Sequence, residues 1–326
     1  MKSLIRRFIA SKEGILFAIF LFIFVLMSLL SPGRFLSLYN LQSMAYQMPE
    51  FGILALSMML VVVAGGINLS LTYTATLSMI VGGLVMANQY AAGINGSLAV
   101  VSGILVMLGI AALCGVFNGI VVSYIGVTPM LATLGAMTLF EGISLNITKG
   151  GAVSGFPFEF LLIGNSTFLG IPVPMIIFIL IIGGSWLLLE RSRMGMAIYM
   201  IGCNPKVARY SGVKVRRILF QTYLIASLLA AVAGVLMASR YNSAKESYGS
   251  SYLLQAVAAS VLGGTNINGG EGKVVGTVIA VMILQVISSG LNIFGFNRYL
   301  TNVVMGAILI IVLTINFLTD RRTKEV

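Results

Sequence analysis

Ile53-Leu54-Ala55-Leu56-Ser57-Met58-Met59-Leu60-Val61-Val62-Val63-Ala64-Gly65-Gly66-Ile67-Asn68-Leu69-Ser70 decides how the rest of this chain is read. Up to Ala64 the stretch is apolar but for one serine, and apolar sequence resumes after Ser70. Between them stand two adjacent glycines, each of which weakens a helix by roughly 1 kcal/mol relative to Ala. Asn68 and Ser70 follow, and their side chains can hydrogen-bond the backbone that a helix break sets free. Irregular backbone at membrane depth survives only where protein or a water-filled cavity satisfies it, and broken helices of this kind line transport paths. A tight turn between two membrane helices explains the same residues. The stretch by itself leaves both readings open.

The remainder of the chain supports a membrane setting. Of 326 residues, 58% are hydrophobic and 9% charged, against about 25% charged in a soluble domain. Gly is abundant at 37 and Pro scarce at 7; glycine is more frequent in membrane helices than in soluble ones. The net charge of +11 fits cationic loops that fix orientation and meet anionic lipid heads, not nucleic acid. The chain has no His, and its one Asp is Asp320. General acid–base catalysis and hydrolytic metal sites draw mainly on such residues. Cys114 and Cys203 have no metal-ligand spacing and suggest no disulfide framework. No catalytic residue and no metal site are expected.

A bilayer core takes about 20 mainly apolar residues to cross. On that measure about ten segments qualify, near 15–30, 47–64, 72–90, 98–118, 125–147, 172–190, 217–238, 253–270, 274–291 and 297–318. The fold expected is an all-α polytopic membrane protein forming one membrane domain over 1–326. The positive-inside rule orients it. Placing both termini in the cytoplasm puts 15 of the 20 Lys and Arg residues inside, leaving Arg34, Lys149, Arg240, Lys245 and Arg298 outside. The outer loop is 148–171 and the long inner loop 191–216.

Three further features could carry function. Leu262 to Gly272 holds five glycines within ten residues, but its spacing fits neither a phosphate loop nor a dinucleotide site; a turn permitting close helix packing is expected. In the inner loop, Met196–Ile201 suits a short apolar helix. Asn204 is a good N-cap and Pro205 a good first helical residue, so a second short helix is expected over Val207–Tyr210, stopped at Gly212. These pieces make either a docking surface or a basic loop resting on lipid. Lastly, Glu141, Asn118, Thr133, Gln255, Gln285, Asn302 and Asn316 fall within the expected spans. A membrane-buried ionisable group costs about 2.5–3.5 kcal/mol on insertion scales, so Glu141 is a functional candidate by default; the amides either hydrogen-bond between helices or face a pathway.

In this order, these motifs resemble those of the permease subunits of ribose-type ATP-binding-cassette importers, from about Leu36 to Ile315. Gly66-Ile67-Asn68-Leu69-Ser70 is similar to the family's Gly-Ile-Asp-Leu-Ser. Phe117-Asn118-Gly119 matches Phe/Trp-Asn-Gly. Pro129 with Thr133-Leu134-Gly135 matches Pro-x-x-x-Thr-Leu-Gly. Gly195, Gly202-Cys203-Asn204, Ala208 and Ser211-Gly212-Val213 match the long cytoplasmic loop. Ala258 to Thr265, with Gly269-Gly270 and Gly272, matches the late Gly-rich signature.

The resemblance implies an all-helical permease of the type II importer kind in the cytoplasmic membrane of a bacterial-type cell, working by alternating access. Two permease subunits, identical or not, would form the pathway. Cytoplasmic P-loop ATPase subunits would dock on the inner loop through the region of Gly195, Gly202, Asn204, Lys206, Ala208, Arg209 and Gly212. A solute-binding protein outside would deliver the cargo, a small polyhydroxylated solute such as a pentose or hexose. ATP and Mg²⁺ would belong to the ATPase, and this chain would bind no cofactor. Asn68, Ser70, Asn118, Thr133 and Gln255 are the expected pathway residues, since amides and hydroxyls match sugar hydroxyls without burying charge.

Two departures stand out. The acid of the Gly-Ile-Asp segment is Asn68 here, and Tyr252-Leu253-Leu254-Gln255 lacks the Glu of the family's Tyr-Glu-Leu-Asp/Asn. Both remove negative charge, through either a different cargo or a partner permease that keeps the acids. The rival reading is an ATP-independent facilitator or secondary carrier; a proton-coupled one needs buried ionisable groups, of which the sequence offers mainly Glu141.

Overall fold

The computed structural model describes residues 12–297, 300–308, 310, 311 and 314. After α1 (Lys12–Leu30) and the single turn α2 (Pro32–Phe35) come α3 (Leu38–Val63), α4 (Leu71–Ala91) and α5 (Gly96–Ile120). A π-helical turn, Val121–Ile125, extends α5 before α6 (Pro129–Thr148). Next are β1 (Val153–Ser154), α7 (Phe158–Asn165), β2 (Thr167–Phe168), β3 (Ile171–Pro172) and α8 (Val173–Trp186), which ends in a second π-helical turn, Leu187–Arg191. The order closes with α9 (Arg193–Cys203), α10 (Pro205–Tyr210), α11 (Val215–Tyr241), β4 (Ser243–Ala244), α12 (Ser247–Leu262) and α13 (Val274–Ile293). Residues 300–308 are helical.

Among the described residues, eight helices are long and apolar enough to cross a membrane. They correspond to the expected spans except the eighth and tenth. The eighth, expected at 253–270, is the 16-residue α12, which begins and ends earlier. Its last turn is closed by the Gly263 and Gly264 amides onto the Ala259 and Val261 carbonyls. Gly264 then turns at φ +87°, a conformation that glycine adopts without strain. The second span also starts earlier than 47, because Ser37 caps Asn40 N at 3.3 Å and the helix runs on through Gln42 and Gln47. The tenth is described only in part. Both termini, with Lys2, Arg6, Arg7, Arg321, Arg322 and Lys324, and also Arg298 and Asn316, lie outside the described residues.

The core forms around α3, which packs against α8, α11, α12 and α13. From Pro49 to Val63 every α3 residue is buried. By contrast α1, α5, α6 and α8 keep long apolar faces exposed, including Leu105, Leu113, Leu131 and Leu180. Lipid solvates such faces as well as protein does.

One end of the bundle gathers the 64–70, 191–215 and 263–273 connections and most described cations; it is termed the basic end. There the backbones meet directly. Gly270 N donates to Val63 O at 2.9 Å, Tyr199 OH donates to Gly272 O at 2.6 Å, and Gly202 is wedged between Val63 and Gly270. The Gly-rich 263–272 segment therefore serves close packing, as expected. Lys273 Nζ also meets Glu13 Oε1 at 2.7 Å, and this hydrogen bond holds the ammonium above its ordinary range. At the far end, β1 pairs antiparallel with β4 and β2 with β3. Ser239, near the end of α11, pins α7 by donating to Phe160 O (2.6 Å) and accepting from Gly164 N (2.7 Å).

The backbone junction at the basic end has no room for a side chain. A Cβ on Gly202 would strike the Val63 carbonyl oxygen and the Gly270 amide. Gly202→Ala is therefore expected to cost about 1–3 kcal/mol, the usual range for overpacking, and to lower the unfolding temperature in detergent. An unchanged melting curve would mean that the junction can open at no cost.

Candidate functional site

Four of the five expected pathway residues come together, and they come together as a buried knot. Asn68, Ser70, Asn118 and Thr133 are all wholly inaccessible. Asn68 Oδ1 accepts from Ser70 Oγ at 2.8 Å and from Ser70 N at 3.2 Å. Asn118 Nδ2 donates to Ser70 Oγ at 2.8 Å, joining α5 to the start of α4. Thr133 Oγ1, on α6, accepts from Leu69 N at 3.1 Å and donates to Ile67 O at 3.0 Å. The helix break between α3 and α4 is real, and its freed backbone is satisfied by these side chains, as buried backbone must be. The break sits at the basic end, beside Gly202 and Asn268. Asn68 Nδ2 and Asn118 Oδ1 are buried without partners, a donor and an acceptor left over within the knot.

Gln255 is elsewhere. It lines a cavity of about 240 Å³ toward the far end, between α3, α11, α12, α13 and the 300–308 helix. Of the twelve residues lining it only Phe51 and Leu284 are apolar. Gln285 and Asn302, which the sequence placed inside spans, line it too, together with Gln47 and Asn292. The cavity is therefore walled by amides, each of which both donates and accepts.

Behind this wall lies a buried ion pair that sequence reading missed. Glu50, inside α3, is inaccessible. Its Oε1 lies 3.2 Å from Arg240 Nε, with side chains 1% and 17% exposed respectively. That approach is an ionic contact without hydrogen-bond alignment, so Oε1 carries no directed bond. Oε2 accepts from Tyr252 OH at 2.8 Å and from Tyr241 OH at 3.0 Å. Tyr241 and Tyr252 touch at 3.0 Å, and Phe51 stacks on Tyr252 with ring planes 9° apart. One carboxylate thus ties α3 to α11 and α12. Glu141, the acid that the sequence singled out, lies within α6 but is only half-buried; Glu50 is inaccessible inside α3. The signal was present: antiparallel second and seventh spans would bring Glu50 and Arg240 to the same end.

The inner loop forms the two short helices expected. Asn204 Oδ1 caps α10, accepting from Lys206 N at 2.9 Å and Val207 N at 3.2 Å. Gly195 is buried beneath the Leu188 and Leu189 carbonyls, Ala208 is buried, and Gly212 turns the chain at φ +82° after α10. Lys206 and Arg209 are exposed. Between them and on α9 an apolar set stands outward: Met196, Met200, Val207 and Tyr210, the last 91% exposed. Among the described residues, no group of three or more His, Cys, Asp or Glu could hold a metal.

A bundle of bilayer-length helices, carrying an exposed apolar and cationic face at one end and an amide-walled cavity toward the other, has the layout of a multi-pass membrane permease. The chain belongs to the family described as the permease component of branched-chain amino acid transport systems, which matches residues 40–313. It is 35% identical over 316 residues to the ribose import permease protein RbsC of Bacillus subtilis, covering 96% of this chain and 94% of that protein. It is 38% identical over 267 residues to the autoinducer 2 import system permease protein LsrD of Yersinia enterocolitica, covering 80% of this chain and 78% of that protein. No solved structure matches.

The Glu50 carboxylate generates a direct prediction. Removing one partner of a buried pair costs roughly 3–5 kcal/mol because it strands the other charge. Glu50→Gln is expected to lose on that scale in thermal unfolding. The double variant Glu50→Gln with Arg240→Gln is expected to recover part of the loss. A single variant that melts like the parent would show that the pair does not tie the helices.

Proposed function

We propose that this chain is the membrane-spanning, translocating subunit of an ATP-binding-cassette importer whose cargo is a small uncharged sugar. The observation that carries the reading is the near-full-length likeness to a ribose import permease. The amide-walled cavity supports it, because its wall suits hydroxyl groups better than an aliphatic side chain. The chain is itself a conduit, and ATP with Mg²⁺ would stay in separate P-loop subunits.

The partners follow from where each face lies. Short capped helices α9 and α10, with exposed apolar residues beside Lys206 and Arg209, suit a cytoplasmic ATPase. The far end, capped by α7 and the two small β pairs, would receive a solute-binding protein outside the membrane. The exposed apolar flanks of α5 and α6 suit lipid and a second permease subunit, identical or not. Both termini would lie in the cytoplasm, with ten spans in all. Transport would be alternating access: nucleotide binding moves α9, and the junction at Gly202 carries the motion into α3 and the 263–273 segment.

The test is co-purification of the tagged chain from native membranes in mild detergent, with partners identified by mass spectrometry. A P-loop ATPase is expected with it. A chain that emerges alone across several detergents, with nucleotide present, would favour an ATP-independent facilitator. The joint variant Lys206→Glu with Arg209→Glu is expected to weaken ATPase retention about tenfold, equivalent to roughly 1.4 kcal/mol. Full retention at physiological salt would remove both residues from the dock.

A further inference from the structure

The far-end cavity holds an observation that packing does not explain. Gln285 sits on α13 with 4% of its surface accessible, lines the cavity, and makes no side-chain hydrogen bond among the described residues. Neither amide atom of Gln285 is sealed in protein, so the group opens onto the cavity, where a solute's hydroxyls could reach it. Gln255, on α12, also lines the cavity with no hydrogen bond from its side chain among the described residues, whereas Gln47, on α3, is engaged by Ser43 Oγ at 2.8 Å. Asn292 and Asn302 are exposed at the mouth, so the cavity opens toward the far end and closes inward on Gln285.

Charge restricts what it can hold. Among the described residues the one charged side chain in its wall is Arg240, and Glu50 neutralises it from behind at 3.2 Å. The remaining polar wall consists of amides and hydroxyls. The described wall therefore offers many donors and acceptors and no net charge, together with the Tyr252 ring stacked on Phe51 as a flat side. A volume of about 240 Å³ is many times the roughly 10–15 Å³ that one water needs. Phosphorylated or carboxylated solutes would find their charge unmatched, and an aliphatic amino acid would lay its side chain against amides.

We propose that this cavity is an acceptor subsite, built within one subunit, for a single uncharged polyhydroxylated solute arriving from the far end, with Gln285 and Gln255 as its principal hydrogen-bonding groups. The proposal rests on the importer reading and adds to it the place and chemistry of first contact. The free amides supply hydrogen bonds to hydroxyls without charge, so binding is weak and release inward is fast. The site also lies apart from the Asn68 knot, whose four side chains are wholly inaccessible.

The test is binding of D-ribose, D-ribose 5-phosphate and L-leucine to the purified full chain in lipid nanodiscs, read by calorimetry and by ligand-induced rise in unfolding temperature. D-ribose is expected to bind saturably, with the other two at least tenfold weaker. Gln285→Leu, and separately Gln255→Leu, are expected to weaken ribose binding tenfold or more while the ATPase still co-purifies at parent levels. The Gln255 variant serves if Gln285→Leu fails to fold. Parent-like ribose binding in both variants would overturn the subsite, as would absence of saturable binding by all three solutes. Tighter binding of leucine or ribose 5-phosphate would overturn the neutral-polyol class. ATPase co-purification reports on the importer reading separately, so the two can fail independently.

Discussion

The structure depends on a place where backbones touch without intervening side chains. At the basic end the amide of Gly270 bonds the last carbonyl of α3 at 2.9 Å, and Gly202 of α9 fills the remaining gap. Any Cβ there would push α9 off the bundle. Contacts between backbones transmit displacement better than contacts through flexible side chains, since close-packed interiors are stiff. The same α3 that ends in this junction carries Glu50 near its middle, tied to α11 and α12 through Arg240, Tyr241 and Tyr252. A 26-residue helix is roughly 39 Å long at 1.5 Å per residue. It therefore acts as a strut between the face that an ATPase would move and the cavity that a solute would enter.

Polarity is distributed to match. Charge is concentrated on the exposed surface of the basic end, where lipid heads and a soluble partner accept it. Deep in the bundle the described polar residues are amides and hydroxyls, and the one buried acid among them, Glu50, is cancelled by one arginine. That economy leaves the cavity neutral. The family description names branched-chain amino acids, while the relatives compared are import permeases for ribose and autoinducer 2. A wall with only two apolar residues among twelve sits with hydroxylated cargo.

Much of the fold was legible in the sequence because bilayer-length apolar runs are a strong signal. The Asn204 cap with Pro205 and the stop at Gly212 were legible for the same local reason: the side chain and the turn lie within a few residues of one another. The α12 boundaries were not: the span count ran to 270 although Gly263-Gly264-Thr265-Asn266 already carried the turn that the Gly-rich segment was expected to make, because a bilayer-length window cannot place the end of a short helix. The candidate site was half legible. The sequence could point to polar residues inside spans, but sequence order cannot say which polar groups meet. Asn68, Ser70, Asn118 and Thr133 met each other and closed; Gln255, Gln285 and Asn302 met around open volume. Glu50 escaped because polar residues just before it suggested a helix start, whereas α3 had begun twelve residues earlier, at Leu38.

On the proposed function, this chain moves a sugar only when a docked ATPase drives it. The most direct measurement is uptake of radiolabelled D-ribose into proteoliposomes holding the chain with its co-purified ATPase and supplied with the solute-binding protein, with and without ATP. The account predicts accumulation that requires ATP and all the partners. Equal ribose flux through the chain alone, without nucleotide, would contradict it and make the chain a facilitator.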